Sequence, residues 1–465
     1  MQLRFGLRLS VLVLSTLSAG AGGVSADTLR QALSKAYNNS GLLEQNRAVL
    51  RAADEDVAQA VATLRPVFRW SAGIDHDFGT SLQFGSVVNT DTTSRSLALS
   101  AEMTLYDGGS NKFATEAAKE TVLATRQSLI SIEQNVLLDA VQAYMDVRRE
   151  TETVTLRKNN LRVIQEELRA AQDRFDVGEV TKTDVALAEA RLASSLAQLE
   201  TAKGALQQAK ARYKQAIGGA ASGLSTPPSL PELPTSVAAA QAVAVRNHPA
   251  MKQIQHTIKA ADLNIARAKT ASGPSATLRG SYGLRSVDGG KTTEPGSISI
   301  NIGGPIYSGG NIPSVIRKAQ AQKEAQVANL HVSQRQIEQA TATSFAILEM
   351  ARASRKATEE QIRASQVAFD GTKEEATLGA RTTLDVLNAE QDLLNAKANL
   401  ISALSDEQVA AYRLLAQMGQ LTVDHLNLPV QKYDPASYYN LVKNAPSTSD
   451  QGKALDRVLK ALGQD

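Results

Sequence analysis

Apolar positions along the chain follow two rhythms. Three stretches, Asp27 to Leu64, Ser110 to about Phe175 and Thr183 to Ile217, repeat them every three to four residues, with few internal prolines or glycines. That period predicts three helices. The series returns at about Ser236 to Ala271, Asn311 to Thr377 and Thr383 to Met418. At the rise of an α-helix the first three would run roughly 57, 99 and 52 Å. Two short helices laid end to end then about match the long one, as a wall of stacked helical hairpins would require.

Between Pro66 and Tyr106, and again between Pro274 and Tyr307, the period falls to two. Phe68, Trp70, Ile74 and Phe78 share one face, with Arg69, Ser71, Asp75 and Asp77 on the other. Leu97, Leu99, Met103 and Leu105 alternate with Ser96, Ser100, Glu102 and Thr104. The second hairpin sets Leu278, Tyr282 and Leu284 against Thr277, Arg279 and Arg285, then Ile298, Ile300 and Ile302 against Ser297, Ser299 and Asn301. Each strand is about long enough to cross a bilayer on a tilt, with one apolar and one polar face. A half-buried soluble hairpin would alternate in the same way, but four such strands in an exported chain point to a membrane barrel. Four strands cannot close a barrel, and eight fill their interior with side chains, so three copies are the smallest assembly with an open lumen.

The two halves of the chain are copies. "TDVALAEARL" from Thr183 reappears as "TLDVLNAEQDLL" from Thr383, "YDGG" at Tyr106 as "YSGG" at Tyr307, and Pro66 as Pro274. Residues 27–222 form a first repeat and 236–419 a second, joined by a proline-rich linker at 223–235 and followed by an extension at 420–465. Residues 1–26 read as a secretory signal peptide, with Arg4 and Arg8 before an apolar core and cleavage expected after Ala26.

Composition narrows the picture. The formal net charge is +3, two of the basic residues lie in the signal segment, and so charge argues against nucleic acid as a partner. Cysteine is absent, which excludes disulfides, thiolate metal sites and a lipid-modified cysteine anchor. No apolar run is long enough for a spanning helix, leaving strands as the means of meeting a membrane. Aromatics are only 4% beside 43% hydrophobic residues, a composition suited to long helices with narrow alanine seams. The five histidines are scattered, His248 and His256 flank a helix start without a carboxylate at ligand spacing, and the glycine-rich "DGGSN" and "SGGNI" lack the lysine of a phosphate loop. No catalytic pairing, metal site or cofactor is expected.

Order, spacing and duplication together resemble the TolC-like outer membrane efflux proteins over roughly Asp27 to Met418, most sharply at "YDGG", "YSGG", "VGEVTKTDV" and "LGARTTLDVL". The resemblance implies a mixed α/β membrane protein, a two-repeat protomer with long helical hairpins and four transmembrane strands. It implies a homotrimer with a twelve-stranded β-barrel in outer membrane lipid and a twelve-helix α-barrel through the periplasm. Its expected partners are a periplasmic membrane fusion adaptor and an inner-membrane ABC or RND transporter. "LNLPVQKYDPASYYNLVK" from Leu426 resembles the segment that follows the tunnel in type I secretion members. The alternative is a periplasmic structural or adaptor protein with long helical hairpins, which would need no lipid-facing strands.

The repeated helix start places Gly178 and Gly379 at turns where a long helix ends and the chain doubles back, and gives Thr181 to Asp184 and Thr382 to Asp385 the spacing of N-terminal caps. Capping alone accounts for both aspartates. Asp385 also heads a polar stripe with Asn388, Asp392, Asn395 and Asn399. In the family the periplasmic tip is narrowed by the acids of a "DVLD" segment. Here the segment is "DVLN", so Asp385 matches and Asn388 departs from the second acid. The family's gate link maps onto Arg381 and Asp184, while Ala376 stands where the family has a tyrosine.

Overall fold

A computed structural model describes residues 27–221 and 223–445 together with 453 and 457; the signal segment and nearly all of the polar tail lie outside the described residues. Alternation in the sequence is realised as one four-stranded antiparallel sheet in the order β1 (Val67–Gln83), β2 (Ser86–Tyr106), β3 (Ser275–Val287) and β4 (Gly296–Gly303). The central pairing joins the halves of the chain, with Leu97 opposite Leu284 and Leu99 opposite Tyr282. β1 and β4 are left with unpaired outer edges among the described residues.

The two faces of this sheet separate as expected from their side chains. Trp70, Phe78 and Ile298 stand 76%, 80% and 85% exposed. On the opposite face charges pair across strands: Glu102 lies 3.7 Å from Arg69 and 3.4 Å from Arg279.

The helices are α1 (Leu29–Asn39), α2 (Gly41–Ala62), α3 (Ser110–Asp176), α4 (Lys182–Ile217), α5 (Val237–Asn247), α6 (Pro249–Thr270), α7 (Asn311–Thr377), α8 (Thr383–Gln417) and the short α9 (Ser437–Val442). α3 and α7 are each 67 residues long. Two expected helices are corrected. Asp27 to Leu64 is broken at Ser40, whose backbone turns extended and whose hydroxyl accepts the amide of Leu43. Ser236 to Ala271 is broken at His248, because Pro249 pushes the residue before it out of the helical region. The imidazole Nδ1 of His248 then caps α6 by accepting from Ala250 N at 3.2 Å.

Each break is met by the end of a return helix. Gly218, with φ +82°, lies against Asn39, which donates to the carbonyl of Ile217 at 3.1 Å. Gly419, with φ +72°, lies against the backbone of Asn247 and His248. A Cβ there would come within 2.8 Å of backbone, so only glycine fits the approach.

The largest core forms where these ends converge. Leu29, Tyr144, Tyr213, Leu348, Leu414, Leu415 and Met418 are all buried there. Tyr144 also ties down the linker: its hydroxyl is 2.7 Å from the Ser225 carbonyl oxygen and 3.0 Å from that of Asp27. Asp27 and Leu224 form a parallel bridge, so the start of the described chain and the linker lie together on α3. Away from this knot the seams are thin, as in the cluster of Val154, Leu199 and Ala202 between α3 and α4.

The extension after α8 is part of the fold as far as it is described. Leu421, Val423 and Leu428 join the main core, and Val423 N donates to Glu133 at 2.7 Å. Further on, the Arg47 guanidinium is sandwiched at about 5 Å between the Tyr37 and Tyr433 rings, and Tyr438 donates to Glu55 at 2.7 Å. The segment straps back across α1, α2 and α3.

Candidate pore constriction at the helical turns

The two ends of the long helices are built alike. At Gly178, φ +81°, the amide of Gly178 bonds to Phe175 O and that of Glu179 to Arg174 O, each at 2.9 Å. At Gly379, φ +78°, the amides of Gly379 and Ala380 bond in the same way to Ala376 O and Glu375 O. This nested pair of bonds closes a helix on a left-handed residue, which glycine adopts without a Cβ penalty.

The return helices then start on reciprocal caps. Asp184 Oδ2 accepts from Thr181 N and Oγ1 at 2.9 and 2.8 Å, while Thr181 Oγ1 accepts the amide of Asp184. Asp385 Oδ2 accepts from Thr382 N and Oγ1 at 3.0 and 2.9 Å, with the same return bond. Bonds from the Thr181 hydroxyl and then its amide hold the Asp184 carboxyl below its ordinary value. The Thr382 amide and then its hydroxyl do the same for Asp385, so both carboxylates stay charged at neutral pH. All four cap residues come from the sequence pattern, and the cap bonds occupy only one oxygen of each carboxylate.

The second turn carries one feature that the first lacks. Arg381 Nε donates to Glu375 Oε2 at 2.9 Å, pinning the turn to the end of α7. Within one protomer Arg381 is therefore engaged by Glu375, and Asp184 by its own cap; the structure does not bring Arg381 and Asp184 together in a single chain. Asn388 is likewise occupied, accepting from Arg191 of α4 at 2.9 Å. That bond ties the return helices of the two halves to one another. Asp392, Asn395 and Asn399 continue the exposed stripe along α8.

Three residues near this stripe escaped the sequence reading. Glu390 is buried on the other face of α8, and Lys373 of α7 bonds to Glu167 of α3 at 3.0 Å beside it. The signal was present for Glu390: Val386, Leu387, Leu393 and Leu394 flank it at helical spacing, so a carboxylate stands in an apolar stripe. No such local mark announces Arg191 with Asn388 or Glu167 with Lys373, which are pairs between distant segments.

Comparison with known proteins agrees with this architecture. The family model described as "Outer membrane efflux protein" matches residues 32–219 and 242–420, most of the chain. The outer membrane efflux protein BepC of Brucella suis is 36% identical over 94% of this chain and 94% of its own length. The outer membrane protein TolC of Escherichia coli is 24% identical over 96% of this chain and 93% of its own. Among solved structures, the outer membrane protein VceC of Vibrio cholerae superposes with a TM-score of 0.70 at 20% identity, over 84% of this chain and 96% of that one. A sheet with a bare apolar face, two long helical hairpins closed by capped turns, and these matches have one common explanation: the chain belongs to the outer membrane efflux protein family, the TolC-like channels of the outer membrane that reach into the periplasm.

Proposed function

We propose that this chain is the protomer of a passive export duct, in which three copies close a twelve-stranded barrel in the outer membrane and a twelve-helix tunnel below it. The observation that carries this reading is the sheet: an exposed apolar face, an ion-paired polar face and two unpaired edges on β1 and β4. A four-stranded sheet of this kind satisfies its edges by joining copies of itself, and then sets the apolar face to lipid and the charged face to the lumen. A soluble helical-hairpin protein would leave that apolar face in water.

At the far end the duct narrows at Asp385. Three copies bring three carboxylates together, each kept charged by its cap, so that anions are repelled and cations drawn in. Asn388 supplies no second acid and is engaged by Arg191, which makes the cation-selective field a single ring deep. Because Arg381 is held by Glu375 within its own chain, its link to Asp184 belongs to this reading as a contact between neighbouring protomers. The duct carries out no reaction: a periplasmic adaptor and an inner-membrane ABC or RND transporter recruit it for type I secretion or drug efflux, and selectivity comes from them and from the tip.

Single-channel conductance in a planar bilayer tests the reading. The parent should give small, stable, cation-selective steps. Asp385→Ala should lose cation preference, and Arg381→Ser should give larger steps. Unchanged selectivity in Asp385→Ala would remove Asp385 from the constriction, and no steps at all from a folded oligomer would sink the duct.

A further inference from the structure

Beyond Asp385, α8 buries Glu390 to 6% exposure, and its Oε2 has no hydrogen-bond partner. The side chain lies at the seam where the hairpin of α7 and α8 meets α3 of the other half of the chain. α3 contributes Glu167, α7 contributes Lys373, and these two bond to each other at 3.0 Å. The nearby charge from α4, Arg191, is taken by Asn388. One half-exposed lysine therefore faces two carboxylates, of which Glu390 is the buried one. Burial, reinforced by repulsion from Glu167 and opposed by Lys373, pushes the Glu390 carboxyl up to about 7.

We propose that Glu390 is a proton-operated latch between the two hairpins. Protonated, it lets α8 lie closed against α3; ionised, it places a second negative charge beside Glu167, and the seam parts to widen the tip. The latch rests on the reading of the Asp385 end as the gate of a duct. Neither Asp184 nor Asp385 can do this work, since their caps hold both below the carboxylate range in which Glu390 would respond.

The direction follows from which state holds the proton. Parted and wet, the carboxyl returns to its ordinary value of 4.5, whereas packed it titrates at about 7. Between these values the packed seam binds a proton that the parted seam does not. The ratio of packed to parted seams then falls about tenfold per pH unit as pH rises, and levels off above the upper value.

The chain has no cysteine, so labels can be placed without background. Spin labels at Glu179→Cys and Ala380→Cys sit one on each turn, and their distance in the full-length assembly can be followed from about pH 5 to 8.5 beside bilayer conductance. The label distance should lengthen as pH rises toward about 7 and level off above it in the parent, and stay short throughout in Glu390→Gln. Glu167→Gln should keep the distance shorter at high pH and flatten its change with pH, since the repulsion is gone and Lys373 is released to the ionised Glu390. A distance that ignores pH in the parent, or that lengthens equally in Glu390→Gln, would overturn the latch. Movement without any channel current would keep the latch and overturn the duct.

Discussion

Asp54 and Asp385 are both single carboxylates near a helix surface, and their surroundings send them in opposite directions. Asp385 is hydrogen-bonded as a helix cap and stays ionised. Asp54, in α2, is fully buried with neither oxygen bonded, and burial raises its carboxyl to about 6, with Arg126 pulling it down and Glu55 pushing it up. The folded state thus favours the neutral form. The stability that Asp54 contributes is complete below the ordinary carboxylate value and is lost as pH rises through about 6. A shift of this size corresponds to roughly 1–3 kcal/mol once partial access of water is allowed for. Asp54→Asn should melt higher than the parent at pH 7 and show a flatter profile between pH 4 and 7, measured by thermal unfolding in detergent. Equal pH profiles for the two proteins would show that Asp54 is already paired when charged. The opposite rule holds for the capped Asp184 and Asp385, whose contribution is present above the ordinary carboxylate value and disappears on acidification.

The elements differ in how far their own residues specify them. α3, α4, α7 and α8 begin and end within a residue or two of where periodicity, capping threonines and glycine turns place them, because those signals act within one helical turn. The breaks at Ser40 and His248 were covered by an apolar period that runs straight through them, although Pro249 marks the second. What makes the breaks permanent is the packing of Gly218 and Gly419 against them. Gly218→Ala and Gly419→Ala should therefore each cost more than Gly178→Ala in denaturant unfolding, by about 1 kcal/mol or more. All three positions require a left-handed residue, but at 178 the new Cβ meets nothing within 4 Å, whereas it comes within 2.7 Å of the Asn39 Cβ at 218 and 2.8 Å of the His248 Cα at 419, atoms that move only with the backbone. Losses equal to that of Gly178→Ala would mean that the two breaks shift freely.

For the whole molecule, the decisive feature is the asymmetry of a single sheet. Ile300 lies on the apolar face opposite Leu278, and Asn301 on the polar face opposite Thr277. Ile300→Lys should place a charge in lipid at about 2–4 kcal/mol per copy and reduce the fraction of heat-resistant oligomer recovered from outer membranes. Asn301→Lys, one residue away, should assemble normally. If both assembled alike, the assignment of the two faces would be wrong.

Much of this protein is determined by its sequence alone: element types, the two-faced strands, the duplicated capped turns and the absence of thiol chemistry. These follow from periods of 2 and 3.6 and from contacts a few residues long. The tertiary structure decided which surfaces meet. It buried Glu390 between α8 and α3, gave Arg381 to Glu375 and Asn388 to Arg191, and laid the segment after α8 across α1 to α3. Those pairings depend on the relative rotation of long helices from distant parts of the chain. An amphipathic period shows that a face is covered, and only the packed helices show by what.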